Sequence, residues 1–177
     1  MRMILAVALA LAPQFALAAG TEDTAPPKPT ETTTECAKGE VWDEKTKACI
    51  KAEDSSLNDD QRFRAVRELA YAGRNDEAMN ILATMTEGET SRVMTYQGFL
   101  LRQTGHIEDG IAAYERAIAM NPANILARSY YGQLLVQMDE LAMAEDQLSQ
   151  IRAHGGAGTW AEESLSTAIR TGETYTF

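Results

Sequence analysis

Histidine, cysteine and long apolar runs are all scarce in this 177-residue chain, and each scarcity excludes something. The two histidines, His106 and His154, have neither a cysteine nor a second histidine at ligand spacing, so no metal site is expected. No GxSxG, HExxH or glycine-rich phosphate loop is present, and the reading is of a non-enzyme without a cofactor. Acid pairs such as Asp59-Asp60, Asp76-Glu77 and Glu108-Asp109 fall at predicted helix starts, where the positive helix end stabilises carboxylates without any catalytic role. The formal net charge is −10, and no block of Lys and Arg interrupts it, which argues against nucleic acid as a partner. The apolar run from Met3 to Leu11 is shorter than the roughly 20 residues that a bilayer-spanning helix needs, so no membrane span is expected in the mature form.

That same run has a different use. Arg2 precedes it and Ala16-Leu17-Ala18 follows it with the small-x-small pattern of a cleavage site, so residues 1–18 read as a signal peptide. The first cysteine is Cys36, too far downstream to take a lipid at the cleavage site, so the mature chain is expected to be exported and periplasmic, or secreted. Residues 19–35, AGTEDTAPPKPTETTTE, carry no large apolar side chain and read as a disordered tether.

Both cysteines lie in ECAKGEVWDEKTKAC, where they could form a redox pair, half a metal site, or a staple. The thirteen-residue separation is not C-x-x-C, no histidine is near, and an exported chain meets an oxidising compartment. A Cys36–Cys49 disulfide closing a hairpin over 36–50 is therefore expected. Its reduction should loosen 36–50 and leave the helices nearly unchanged.

From Asn58 onward proline almost vanishes, and Leu, Ala, Met and Ile recur every three or four residues. The spacing predicts helices over about 59–72, 75–86, 91–104, 107–120, 124–138, 141–153 and 159–171, with Asn58–Gln61 and Thr159–Glu162 as capping pairs. Met79, Met85, Met94, Met120, Met138 and Met143 are read as gap-fillers of the helical core. Segments 91–124 and 125–158, each 34 residues long, align with Gly98 on Gly132, Leu101 on Leu135, Tyr114 on Leu148 and Ala117 on Ile151. An earlier segment, 59–90, aligns from its turn onward, with Gly73 on Gly105, Ala78 on Gly110 and Leu82 on Tyr114.

This pattern resembles the tetratricopeptide repeat family, most closely in the middle unit with Gly98, Gly105, Tyr114, Ala117 and Pro122. The third unit departs at Asp139 and Gly156, and the first has Val66 in the small-residue position. The resemblance implies an all-α array of about three helix–turn–helix units over 58–171, with the last helix, bearing Trp160, Leu165 and Ile169, as a cap and 172–177 as a tail. It also implies a concave groove on the first helix of each unit that binds a protein or peptide partner in cell-envelope assembly or maintenance. Carried over by position, the contacts would come from Phe63, Arg67 and Tyr71, then Arg92, Thr95, Phe99, Arg102 and Gln103, then Ser129, Tyr130, Gln133 and Gln137. The arginines suggest a carboxylate-bearing peptide, unless neighbouring acids such as Glu68 already pair with them.

A second resemblance is confined to the cysteine segment. CAKGEVWDEKTKAC is similar to the disulfide hairpin of peritrophin-type chitin-binding modules, although the further cysteines of that family are missing. It implies glycan or peptidoglycan binding with Trp42 as the contact residue. The final TYTF, with Tyr175 and Phe177, is read as a tail that packs on the last helix or frays.

Overall fold

The computed structural model describes residues 27–175. The expected signal peptide, 1–18, lies outside the described residues, as do positions 19–26 of the expected tether and residues 176–177 of the tail. Among the described residues the order is α1 (Glu31–Thr34), β1 (Glu40–Asp43), β2 (Ala48–Lys51), α2 (Asp59–Tyr71), α3 (Asn75–Leu82), α4 (Ser91–Gln103), α5 (Ile107–Met120), α6 (Ile125–Gln137), α7 (Leu141–Ala153) and α8 (Trp160–Thr171). The chain is thus mostly helical, with one small antiparallel hairpin in which Val41 faces Ile50 and Trp42 faces Cys49.

The same chemistry starts and stops successive helices. Asn58, Thr90, Asn124 and Thr159 each accept a hydrogen bond from the backbone N–H three residues on, which satisfies a donor that the first helical turn leaves unpaired. Asn58 and Gln61 close a full capping box, with bonds of 3.0 and 2.9 Å. At the other ends, the N–H groups of Arg74, His106, Glu140 and Gly156 reach back to the carbonyls of Leu69, Leu101, Leu135 and Ile151. Each of these stops needs one residue in the left-handed region, filled by Gly73, Gly105, Asp139 and Gly155. Asp139 takes that conformation at φ 63°, so the third unit makes the same turn without glycine.

α3 stops at Leu82 rather than near 86. The Thr84 hydroxyl bonds back to the Ile81 carbonyl, and Asp59 of α2 accepts from the N–H groups of Thr86 and Glu87, which pulls the chain out of helical register. The other six long helices match their expected spans to within a residue at each end.

α2 packs on α3, α4 on α5 and α6 on α7, while α2, α4, α6 and α8 lie side by side in that order. Close approach depends on missing side chains. A Cβ on Gly98 would stand 2.7 Å from the buried Tyr114 ring of α5, and one on Gly132 would stand 2.5 Å from Leu165 of α8. Gly98 therefore closes its own hairpin, and Gly132 admits the helix that follows.

Three expectations need correction. The tether ends before residue 30, because Thr30 caps α1 and the Glu68 carboxylate accepts from the Thr30 N–H, the Thr30 hydroxyl and the Thr33 hydroxyl at 2.6, 2.7 and 2.8 Å. Composition measures apolar surface alone and misses order imposed by hydroxyls on a buried carboxylate. The Cys36–Cys49 bridge is present, with its Cα atoms 5.4 Å apart, but the hairpin is no separate pin. Val41, Ala52 and Leu57 belong to the same core as α2, Gln61 donates to Asp43, and Arg62 grips the carbonyls of Ala52 and Asp54. Finally, Met94 is buried and Met79 and Met85 pack on the core, but Met120, Met138 and Met143 are exposed at the ends of helices and beside turns.

Candidate functional site

The side-by-side helices bring five rings, two of them from α4, into a continuous row. Phe63 of α2 meets Tyr96 of α4 edge-on at 5.2 Å between centroids. Tyr96 and Phe99 flank Tyr130 of α6 at 6.2 and 5.0 Å, and Tyr130 meets Trp160 of α8 at 5.9 Å. Tilted and edge-to-face pairs of this kind add about 0.5–1.5 kcal/mol each beyond the area they bury. Trp160, expected to cap the array, is half-buried and continues the row.

Around the rings lie the polar residues of the expected groove, and their positions differ. Thr95, Phe99, Tyr130 and Gln133 are buried between the helices and present no open surface. Phe63, Arg67, Arg102 and Ser129 are buried as well, while Tyr71 is exposed, Gln103 is partly so, and Gln137 lies open at the end of α6. Thr95 and Ser91 accept from the Asn124 amide, and Ser129 bonds Ser164 of α8, so the equivalent hydroxyls Thr95 and Ser129 tie α4 to the start of α6 and α6 to α8.

The three arginines have separate environments. Arg67 donates from Nε to the Tyr96 hydroxyl at 3.2 Å and makes no use of Glu68, whose carboxylate serves Thr30 and Thr33. Arg92 is held on both oxygens of Glu87, at 2.8 and 2.9 Å, and on Asp60 at 2.7 Å, and it lies 4.9 Å over the Phe63 ring. Its pKa is raised, first by the Glu87 hydrogen bonds. Neighbouring acids therefore already occupy Arg92. Arg102 is almost fully buried, donates to Gln137 Oε1 at 2.9 Å and faces the Tyr130 carbonyl at 3.4 Å, and leaves Nη2 without a hydrogen bond. Burial lowers its pKa, and burial likewise raises those of Tyr114 and Tyr130, so the phenols stay neutral.

The described part of the tail packs on the last helix at Trp160, as expected, but sequence reasoning missed its contacts to α6. Residues 173–175 leave α8 and turn back along α6. The Thr174 hydroxyl accepts from the Gln137 amide at 2.6 Å, the Tyr175 N–H donates to Gln133 Oε1 at 2.9 Å, and the Tyr175 ring lies 6.0 Å from Trp160. Tyr96, the hub of the ring row, was also missed, though it stands opposite Tyr130 when 91–124 is laid on 125–158. A second hollow, a cavity of about 280 Å³, opens between the hairpin and α2, with Trp42, Lys28, Arg64, Arg67 and Glu68 among its lining.

Among the described residues no group of three or more His, Cys, Asp and Glu is placed to hold a metal ion, and no helix is long and apolar enough to cross a membrane. Compared with models of protein families, with curated proteins and with solved structures, the chain matches none.

Proposed function

We propose that this chain is a non-enzymatic adaptor of tetratricopeptide type, which holds an extended peptide segment of a protein partner along the face formed by α2, α4, α6 and α8. The observation that carries this reading is the way α6 already treats peptide. Gln133 accepts from the backbone N–H of Tyr175 and Gln137 donates to the Thr174 hydroxyl, while Trp160 lies beside the Tyr175 ring. Backbone contacts give affinity to any extended segment, and ring contacts select aromatic ones. The repeated caps and stops support the repeat assignment, since each unit opens on the same kind of cap and turns on the same kind of stop. Because Arg92 is already engaged by Glu87 and Asp60, the reading rests on backbone and ring recognition rather than on a carboxylate hook. The setting would be the periplasm, in envelope assembly or maintenance, as the expected export signal and the disulfide suggest.

Photo-crosslinking residues placed at Tyr71 and Gln103 test this in cells, with Glu44 on the hairpin as control. One partner segment is expected in adducts from both groove positions and not from the control. Adducts from Glu44 alone would overturn it.

The cavity beside Trp42 favours a second reading, in which the hairpin binds a glycan such as peptidoglycan on an indole face with Arg64 and Lys28 at hand. Sedimentation of the full chain with insoluble peptidoglycan, abolished by Trp42→Ala, would support it, and no sedimentation would remove it.

A further inference from the structure

We propose that the hollow between the hairpin and α2 is a site for a small organic anion, a single ring carrying a carboxylate, with the ring laid on the Trp42 indole and the carboxylate held by Arg64 and Lys28. Resting on the glycan reading's claim that a ligand enters beside Trp42, it fixes that ligand's charge and size.

Charge decides the class of ligand. The chain as a whole is acidic, at a formal −10, yet Lys28, Arg64 and Arg67 line this hollow against Glu44 and Glu68. Both acids are already engaged. Glu68 accepts from the Thr30 N–H, the Thr30 hydroxyl and the Thr33 hydroxyl, and Glu44 pairs with Lys47 at 3.1 Å. Arg67 is turned to the Tyr96 hydroxyl at 3.2 Å. Lys28 and Arg64 differ from all of these. Each is exposed, and neither has an ion pair or a side-chain hydrogen bond among the described residues. The hollow thus offers two uncommitted cations and no uncommitted acid. An arginine can take a carboxylate on two parallel N–H groups, and a lysine adds a mobile point charge.

Shape and the remaining polar group narrow the ligand further. A volume of about 280 Å³ lies just under the roughly 300–1,000 Å³ usual for small-molecule sites, which leaves room for one ring and not for a chain. Val41, Ala65 and the half-buried Trp42 supply apolar wall. Thr32, only 3% exposed, also lines the hollow. Its hydroxyl accepts from the Trp42 N–H at 3.0 Å, and its own proton has no acceptor among the described residues, so it has a hydrogen bond to give. The walls are set before any ligand arrives. Thr32 ties α1 to β1, Glu68 ties α2 to Thr30 and Thr33, and Arg74 donates to the Thr33 carbonyl at 2.9 Å. A site assembled in advance spends little of the binding energy on ordering itself.

Calorimetry on the full chain tests this with two acids, glucuronate and benzoate, each beside its neutral counterpart, glucose and benzamide. At least one acid is expected to bind, and its neutral counterpart at least tenfold more weakly; which acid binds tells a sugar ring from an aromatic one. Lys28→Gln with Arg64→Gln alters exposed side chains only, so the melting temperature should hold while affinity for that acid falls at least tenfold. Trp42→Ala should abolish binding. The proposal is overturned if no acid binds at about 10 mM, if acid and neutral counterpart bind equally, or if the double variant binds like the unaltered chain. Peptidoglycan sedimentation that needs Trp42 but is unmoved by the double variant would sink the anion site and leave the glycan reading standing.

Discussion

At the scale of single residues, the absent side chain is the most informative. Gly98 lies so near Tyr114 that a methyl group would overlap a ring with no room to retreat, since that ring is fully buried. Gly98→Ala should destabilise the fold by about 1–3 kcal/mol, the usual range for overpacking, despite alanine's better helix propensity; a urea midpoint at or above that of the unaltered chain would contradict this. Arg102 makes the opposite case. It is a buried cation with no salt bridge among the described residues, and one guanidinium nitrogen goes without a hydrogen bond. Charges in such places are often replaceable by apolar residues of similar volume at no loss. Arg102→Met should leave thermal stability unchanged or higher, measured by the melting temperature. If the melt instead falls by many degrees, the Gln137 and Tyr130 contacts outweigh the desolvation. Residues of this kind also mark how far the sequence could be read. Capping side chains and left-handed stops are local chemistry, so Asn58, Gly73 and Gly105 announced themselves. Asp139 hid an equivalent stop because its conformation shows only in its dihedral angle.

At the scale of elements, the hairpin is the main correction. Its disulfide was legible from compartment and spacing, but its docking was not, because Asp43, Gln61, Ala52 and Arg62 are joined across the chain by side-chain bonds that no periodicity encodes. Closing a loop of about 15 residues contributes about 3 kcal/mol in the chain-entropy model. Replacing Cys36 and Cys49 by serine should therefore expose more than 36–50 to hydrogen exchange: α2 and α3 should lose protection with the hairpin, while α6–α8 keep theirs. Loss limited to the hairpin would restore the view of an independent pin. Acid should loosen the same joint. Asp43 accepts from the Thr46 hydroxyl, the N–H groups of Lys45 and Thr46, and the Gln61 amide, and the Thr46 hydroxyl foremost holds its pKa below the ordinary 3.8. Asp59, although burial opposes it, is also held low by the bonds from Thr86, Glu87 and Arg62. A depressed carboxylate stabilises the fold fully above its unfolded value, and that contribution is lost as pH falls through the lower folded one. The urea midpoint should be flat above about pH 5 and fall below pH 4. The gap between the unaltered chain and Asp43→Asn should shrink over the same range. A gap that persists to about pH 2 would remove Asp43 from the account.

At the scale of the whole molecule, the elements form a row in which packing passes from neighbour to neighbour: α2 to α4, α4 to α6, α6 to α8. The hairpin covers one end through Val41, and α8 covers the other through Leu165 and Ala168. The row was legible because its helix starts and turns are written in capping side chains and glycines. The ring face and its tail were not, because they arise only where separate helices come together. A chain built this way need not share stability evenly, since each unit depends mainly on the units beside it. Leu165 tests that. Its side chain is fully buried against Gly132, and Leu165→Ala should cost about 2–5 kcal/mol through lost burial and the space left behind. That loss should appear first in α6, α7 and α8 by hydrogen exchange, and it should release residues 173–175 from Gln133 and Gln137, shifting the emission of Trp160 in a Trp42→Phe background. α2 and α3 should keep their protection until the whole array melts. If protection instead falls equally from α2 to α8, the row folds as one cooperative body.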